Sequence, residues 1–198
     1  MATDYAKLAE NLLHFYDFTG KVVLFVGAGG RQLLSAAAGT KRLIAIDKDV
    51  AALAQLRANL VAQGLQNLVE VVAGEFEDFQ MQVNTVYFEF CFHEMSDPEK
   101  ALIHAKALAP DIVVYDHSPD SEWIYYGAEE EKVASSSEVM KRFGIRRRQT
   151  FHAEQQFGNY AELLAKLHGQ GPLAMERAQR FAKSTTIAIP MRYELNLL

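Results

Sequence analysis

Short apolar runs and longer amphipathic stretches alternate along the first two thirds of the chain. The apolar runs have the length of single strands and lie at 21–26, 42–47, 68–72, 83–92 and 112–115. The stretches between them carry apolar residues at helical spacing, as Leu53, Leu56 and Leu60 do after the second run. Strands that alternate with helices predict a parallel sheet with helices on both faces. The run at 83–92 contains a single charge, Glu89, which is typical of a strand buried on both faces.

The last third of the chain has a looser pattern. The predicted order is an aromatic-rich loop, a helix, a strand, two helices and a final strand, at 118–127, 128–143, 147–155, 157–167, 173–181 and 184–195. Two further strands bring the predicted sheet to seven strands. We therefore expect an α/β fold, a single domain built on a seven-stranded, mostly parallel, Rossmann-like sheet.

Composition and charge narrow the range of functions. The chain has 198 residues, of which 49% are hydrophobic and 23% charged, as expected for one globular domain. Its formal net charge of −5 argues against a nucleic-acid partner. Cys91 is the only cysteine, so an intrachain disulfide and a paired-cysteine metal site are both excluded. No apolar stretch approaches the ~20 residues of a membrane span, and we expect a cytoplasmic protein with no membrane partner.

A glycine-rich turn after the first strand carries the strongest functional signal. The strand is followed directly by Gly27, Ala28, Gly29 and Gly30. Glycines at such a turn let the main chain approach a ligand without interference from a Cβ atom. The second strand ends at Asp47, twenty positions after Gly27, where a carboxylate can accept hydrogen bonds from two ribose hydroxyls. The pattern predicts a nucleoside pocket at the carboxyl edge of the sheet.

The spacing of the glycines bears on which nucleoside cofactor is bound. A dinucleotide fingerprint needs a third glycine, which would fall at Gln32, so the match to a nicotinamide-binding motif fails. Four segments together resemble the class I S-adenosylmethionine-dependent methyltransferases, namely FVGAGG at 25–30, IAID at 44–47, VVAGEFEDF at 71–79 and FCFHEMSDP at 90–98. The chain departs from the family pattern at Phe25, where an acid is usual, and at Arg31, where the last glycine is usual.

The resemblance implies S-adenosylmethionine as the cofactor and indicates which residues hold it. Asp47 corresponds to the family's ribose acid, and Glu75 with Phe76 corresponds to its adenine segment. The expected cofactor-binding residues are Gly27, Ala28, Gly29, Asp47, Lys48, Glu75, Phe76 and Glu89. In the family, the acid that Phe25 replaces helps to organise the methionine end of the cofactor. Another group must hold that end here.

The acceptor pocket is expected over the carboxyl ends of the fourth and fifth strands. His93 follows the fourth strand and His117 ends the fifth, and we predict both as catalytic residues, with His117 the better candidate for a general base. Trp123, Tyr126 and Tyr16 are predicted to bind the acceptor, because aromatic walls suit a planar or cationic group.

The loop after the fifth strand also offers oxygen and nitrogen atoms that could bind a metal ion. They belong to Asp116, His117, Asp120 and Glu122, and some catechol-type methyltransferases bind magnesium on such a loop. Clusters of this kind are usually solvated, so we expect no metal site.

These assignments divide the single domain, 1–198, into three parts. Residues 1–19 form an N-terminal helical lid, 20–117 the cofactor-binding core, and 118–198 the acceptor side with a helical insertion at 156–183. We expect methyl transfer to a small-molecule acceptor by in-line displacement, and the insertion would also suit the interface of a homodimer. Two alternatives stay open. One is a NAD-dependent oxidoreductase; the other is a non-catalytic nucleoside-binding protein, which the departures at Phe25 and Arg31 suggest.

Overall fold

The computed structural model describes residues 4–27 and 32–198. The sheet has seven strands, β1 Val22–Val26, β2 Arg42–Asp47, β3 Val69–Ala73, β4 Thr85–Glu89, β5 Asp111–His117, β6 Arg147–Phe157 and β7 Ile187–Leu197. The α-helices are α1 Tyr5–Phe15, α2 Val50–Ala62, α3 Pro98–Leu108, α4 Glu122–Gly127, α5 Glu130–Phe143, α6 Tyr160–Leu167 and α7 Pro172–Ala178. Short 3-10 helices lie at Leu33–Gly39, Phe76–Asp78, Phe92–Glu94, His168–Gln170 and Gln179–Phe181.

The strand order is β3-β2-β1-β4-β5-β7-β6. β1 to β5 pair in parallel, while β7 runs antiparallel to both β5 and β6. This arrangement confirms the predicted seven-stranded, mostly parallel sheet. The chain winds one way from β1 to β3 and then crosses back to β4 on the other side of β1. Ligands of open α/β sheets bind at this switch point, beyond the carboxyl ends of the strands.

Helices cover both faces of the sheet, as the continuous apolar strands predict. Val23 and Phe25 of β1 belong to one buried cluster, and Leu24 and Val26 belong to a second cluster on the opposite face. Because both of its faces are buried, β1 has an apolar residue at every position. Phe25 is part of this core and packs on Tyr87 of β4 with ring centroids 5.6 Å apart. The position where the family has an acid is therefore filled by an aromatic side chain.

Local sequence signals fix the starts of two helices. The Asp49 side chain accepts hydrogen bonds from the backbone N–H groups of Ala51 and Ala52 and thereby begins α2. Asp97 caps α3 through the backbone N–H of Lys100, and proline occupies the first turn. The Asp-Pro pair therefore marks the start of α3.

Three predicted elements differ from the structure. β4 ends at Glu89 rather than at residue 92, because Phe90 has a φ of 50° that no extended strand can accommodate. The predicted aromatic loop contains α4, whose residues Trp123 and Tyr126 are buried at helical spacing. The helix predicted after the glycine turn is a 3-10 helix, Leu33–Gly39.

The elements outside the core also reach the carboxyl edge. The N-terminal helix α1 is anchored by the buried side chains of Leu8, Leu12 and Phe15. The insertion between β6 and β7 consists of α6, α7 and two 3-10 turns, close to its predicted bounds.

Among the described residues, no helix is both long and apolar enough to cross a membrane.

Candidate functional site

Two adjoining cavities lie at the carboxyl ends of β1, β2 and β4. Their volumes are about 650 Å³ and about 600 Å³. Gly27, Asp47, Cys91 and Glu94 line both cavities, so the two meet at the glycine turn. The smaller cavity is bounded by β2 and the turn after β3, and the larger by α1, β5, α4 and the insertion. The predicted nucleoside pocket and acceptor pocket are thus neighbours at the switch point.

Gly27 is required at its position for two reasons. Its φ is +88°, a conformation that side chains with a Cβ rarely adopt. A Cβ atom there would also lie 2.9 Å from Cys91 Sγ, which contacts the carbonyl oxygen of Val26 at 3.1 Å. The predicted cofactor residues Ala28 and Gly29, like Arg31, lie outside the described residues.

We expect Gly27→Ala to destabilise the protein and to weaken cofactor binding. The left-handed conformation alone costs about 1–2 kcal/mol for a residue with a Cβ, and the close contact with Cys91 adds to it. Urea unfolding measures the first effect and titration with S-adenosylhomocysteine the second. Gly169→Ala is the matched control, because a Cβ there meets open space. Equal stability of the two variants would contradict this reading of the turn.

Besides Gly27, the smaller cavity brings together four of the predicted cofactor residues. Asp47 lies at its edge and accepts a hydrogen bond from the backbone N–H of Asp49 at 2.8 Å. Lys48 and Glu75 form an exposed ion pair of 3.4 Å beside it. Phe76 is buried behind them and makes an edge contact with Phe88. The family resemblance therefore grouped residues that do lie around one cavity.

Glu89 occupies the position next to the glycine turn on the neighbouring strand. Val26 of β1 pairs with Phe88 of β4, so Glu89 follows at the level of Gly27. Its carboxylate is buried and accepts hydrogen bonds from the backbone N–H groups of Gln32 at 3.2 Å and Leu33 at 3.4 Å. These groups begin a helical segment, where a negative charge is favourable. A buried carboxylate on β4 therefore lies beside the glycine turn, on the strand next to the position that Phe25 fills.

His93 is held by a buried aspartate at the entrance to the larger cavity. Its Nδ1 lies 2.6 Å from one oxygen of Asp116, and its backbone N–H donates to the other oxygen at 3.0 Å. Its Nε2 faces Glu94 Oε1 at 3.5 Å and Glu129 Oε1 at 3.8 Å. Three carboxylates therefore surround one imidazole ring.

The charges of this cluster change the pKa values of its members. Burial alone lowers the pKa of His93, but the charge and hydrogen bond of Asp116, with Glu129 and Glu94, outweigh burial and raise it to about 12. The hydrogen bond from His93, with help from Lys132, lowers the pKa of Glu94 to about 2. In this arrangement His93 carries a proton at neutral pH, which does not favour a role as a general base.

His117 has the opposite character. It ends β5 and lines the larger cavity, with its ring 4.9 Å from that of Phe90 and 5.6 Å from that of His93. Its Nδ1 is buried and has no hydrogen-bond partner among the described residues. Burial lowers the pKa of His117 to about 4 against the opposing charge of Asp116, so the ring is neutral at pH 7.

Of the three aromatic residues predicted to bind the acceptor, only Trp123 lines the larger cavity. Tyr16 is buried at the opposite, amino edge of the sheet, where its hydroxyl contacts Thr85 at the start of β4 and Asp111 at the start of β5. Tyr126 is buried against Phe181 in the insertion. The structure brings neither Tyr16 nor Tyr126 to the larger cavity, because a tyrosine near the site in sequence can bury its ring elsewhere and pair its hydroxyl there.

Two carboxylates of the loop considered for a metal ion have other partners in the structure. Asp116 is hydrogen-bonded to His93, and Asp120 pairs with Arg192.

The larger cavity includes residues that the sequence analysis did not single out, among them Glu129, Gln155, Lys166 and Gln170. Glu129 is the first of three consecutive glutamates, and such a run is typical of a solvated helix start. No sequence signal distinguishes the buried glutamate from the other two, which are more exposed.

Comparison with known proteins points to a methyltransferase. Residues 24–110 match the family profile described as a methyltransferase domain. Over these residues the chain is similar to methyltransferase domains. The matched part includes the glycine turn, the acid at the end of β2 and the segment after β3. The match supports the prediction of a methyltransferase that uses S-adenosylmethionine.

Solved structures share the methyltransferase fold over nearly the whole chain. A candidate methyltransferase of Bacillus halodurans C-125 is 16% identical with a TM-score of 0.70, over 98% of this chain and 97% of that one. An S-adenosylmethionine-dependent methyltransferase of Aquifex aeolicus is 20% identical, with a TM-score of 0.61 over 98% and 89%. A candidate RNA methyltransferase of Pyrococcus horikoshii is 17% identical, with a TM-score of 0.59 over 97% and 83%. None of the curated proteins compared with the chain matches it.

Proposed function

We propose that this methyltransferase transfers the methyl group of S-adenosylmethionine to a small molecule held in the larger cavity. The observation that carries the proposal is the pair of cavities that meet at Gly27 and Asp47. The smaller cavity, of about 600 Å³, and the larger cavity, of about 650 Å³, both lie in the volume range of small-molecule pockets, which includes nucleoside sites.

The smaller cavity is the proposed adenosine site. Asp47 accepts hydrogen bonds from the ribose, and Glu75, Phe76 and Lys48 border the adenine. Gly27, together with Ala28 and Gly29, lets the main chain approach the cofactor. Glu89 fixes the residues that follow the turn and takes over the organising role of the acid that β1 lacks. The methionine end then points past Gly27 into the larger cavity.

The larger cavity is the proposed acceptor site. A nucleophilic atom of the acceptor attacks the methyl carbon in line with the carbon–sulfur bond, which breaks to leave neutral S-adenosylhomocysteine. If the nucleophile carries a proton, His117 is placed to accept it on a ring nitrogen. Trp123 forms an aromatic wall of the same cavity. We do not propose His93 as the general base, because its Nδ1 is hydrogen-bonded to Asp116.

The charge around the cavity favours a small acceptor over RNA. The side chains of Asp47, Glu89, Glu94 and Glu129 all line it, and Lys166 is its one lysine or arginine among the described residues. A polyanionic backbone would be repelled by such a lining, whereas nucleic-acid sites are rich in lysine and arginine. We therefore propose a neutral or cationic small molecule as the acceptor.

A transfer assay tests the proposal. The purified protein is incubated with S-adenosylmethionine labelled in its methyl group and with either total RNA or pools of small metabolites. We expect label in a small molecule and none in RNA. Label in RNA would contradict the proposed acceptor class. Tight binding of S-adenosylhomocysteine without turnover of any acceptor would instead support a non-catalytic nucleoside-binding protein.

We expect His117→Ala to lower kcat by about 100-fold or more while leaving the affinity for S-adenosylhomocysteine nearly unchanged. The reason is that His117 lines the acceptor cavity but does not line the smaller one. His152→Ala, an exposed histidine on β6, is the matched control and should keep full activity. Unchanged kcat in the His117 variant would show that the reaction needs no base at this position.

A further inference from the structure

We propose that His93, Glu94 and Glu129 bind a divalent transition-metal cation at the edge of the larger cavity. One ligand atom from each of the three residues lies within 4.8 Å of the others. His93 and Glu129 are buried, so the group is not a solvated surface cluster. This inference departs from the sequence-based expectation of no metal site, which concerned a different set of residues.

The orientation of His93 is that of a metal ligand. Its Nδ1 is held by Asp116 at 2.6 Å, which directs Nε2 towards Glu94 and Glu129. Histidines that bind metals usually make this second hydrogen bond to a carboxylate through the nitrogen that does not face the ion. The aspartate thus fixes both the direction of the ring and the nitrogen that is presented to the cavity. An ion that binds there would displace the proton that Nε2 carries in its absence, and the proton would pass to solvent.

The distances within the cluster suit a shared ion better than direct hydrogen bonds. Nε2 of His93 lies 3.5 Å from Glu94 and 3.8 Å from Glu129, longer than the usual 2.7–3.2 Å of a hydrogen bond. Ligand bonds of about 2.1 Å to a tetrahedral ion would place neighbouring ligand atoms about 3.4 Å apart. Small shifts would therefore close the cluster around one cation.

Glu129 supplies an independent indication. Its Oε1 accepts a hydrogen bond from Gln170 at 2.7 Å, whereas its buried Oε2 has no hydrogen-bond partner among the described residues. A buried carboxylate oxygen without a donor is costly and calls for a specific explanation. A cation in the cluster would satisfy it. The ammonium group of Lys132 pairs with the far oxygen of Glu94 at 2.6 Å, so Oε1 of Glu94 is left facing His93.

The ligand set indicates the class of ion. One imidazole nitrogen with two carboxylates is suited to Zn²⁺, Mn²⁺ or Fe²⁺, and less to Mg²⁺ or Ca²⁺, which prefer oxygen ligands only. Three protein ligands leave a coordination position for a further atom. If the proposed function holds, that position faces the acceptor cavity and would bind an oxygen or sulfur atom of the acceptor.

Equilibrium dialysis of the purified protein against Zn²⁺ or Mn²⁺, with the bound metal measured by mass spectrometry, tests the proposal. We expect about one ion per wild-type chain and, for Glu129→Gln, an affinity lower by about 100-fold or more. Glu130→Gln is the matched control, because Glu130 pairs with Arg177 outside the cluster. Co²⁺ bound to the wild type should give a visible spectrum that the Glu129 variant lacks.

The outcomes separate this proposal from the proposed function. Wild-type protein that binds neither ion, or Glu129→Gln protein that binds as well as wild type, would overturn the metal site. If Glu129→Gln does not fold, Glu94→Gln at a half-exposed position gives the same test. Failure of S-adenosylhomocysteine to bind even wild-type protein would instead count against the proposed function.

Discussion

Asp47→Ala is expected to weaken the binding of S-adenosylhomocysteine by about 2 kcal/mol or more, because two charge-assisted hydrogen bonds to the ribose are lost. Isothermal titration calorimetry measures the loss directly. Glu70→Ala is the control, since Glu70 pairs with Arg42 on the exposed surface and lines neither cavity. Unchanged affinity in the Asp47 variant would refute the assignment of the ribose site.

The Asp47 result must be separated from a structural effect. The same carboxylate accepts the backbone N–H of Asp49, the residue that begins α2. Asp47→Asn keeps a hydrogen-bond acceptor for that N–H group but loses the negative charge that, in the proposed site, binds the ribose hydroxyls. We therefore expect Asp47→Asn to melt close to wild type while still binding S-adenosylhomocysteine more weakly. A large loss of stability with normal affinity would point to a structural role alone.

Glu89→Ala is expected to lower both stability and cofactor affinity. It removes the acceptor for two backbone N–H groups, those of Gln32 and Leu33, and for the hydroxyl of Tyr87 at 2.7 Å. Each buried group left unpaired costs about 1–3 kcal/mol, so we expect the free energy of unfolding to fall by about 3 kcal/mol or more. The affinity for S-adenosylhomocysteine should fall about 10-fold or more, because the segment after the glycine turn loses its anchor.

The conservative variant Glu89→Gln tests whether Glu89 takes the role of the acid that Phe25 replaces. Glu89→Gln keeps the side-chain length and one acceptor oxygen, so we expect it to recover much of the stability measured by urea unfolding. If a negative charge at this position organises the methionine end of the cofactor, the affinity for S-adenosylhomocysteine should stay low. Wild-type affinity in Glu89→Gln protein would contradict that role and leave Glu89 as a structural residue.

Much of the fold could be predicted from local sequence signals. β2 has the predicted bounds, because a continuous apolar run is recognised within a few residues. The start of α3 is equally local, since an Asp-Pro pair marks it. The end of β4 was not predicted, since nothing in the apolar run reveals the left-handed conformation of Phe90. The helix α4 was missed because its aromatic residues fit both a loop and a buried helical face.

The candidate site was predictable only where it follows the order of the chain. Gly27 and Asp47 stand at a fixed spacing from the ends of consecutive strands, and the structure places them at one cavity edge. The position of Glu89 beside the turn depends on the register between β1 and β4, which the sequence does not state. Glu129 directly precedes α5, and Gln170 lies in the 3-10 turn after α6. The hydrogen bond between them joins distant parts of the chain, so it arises from tertiary packing alone.

A crystal structure with S-adenosylhomocysteine bound would test the central claim most directly. We predict that the adenosyl group fills the smaller cavity, that both ribose hydroxyls lie within hydrogen-bond distance of the Asp47 carboxylate, and that the sulfur faces the larger cavity. A complex in which the nucleoside lies elsewhere, or in which Asp47 points to solvent while the ligand is bound, would contradict the account.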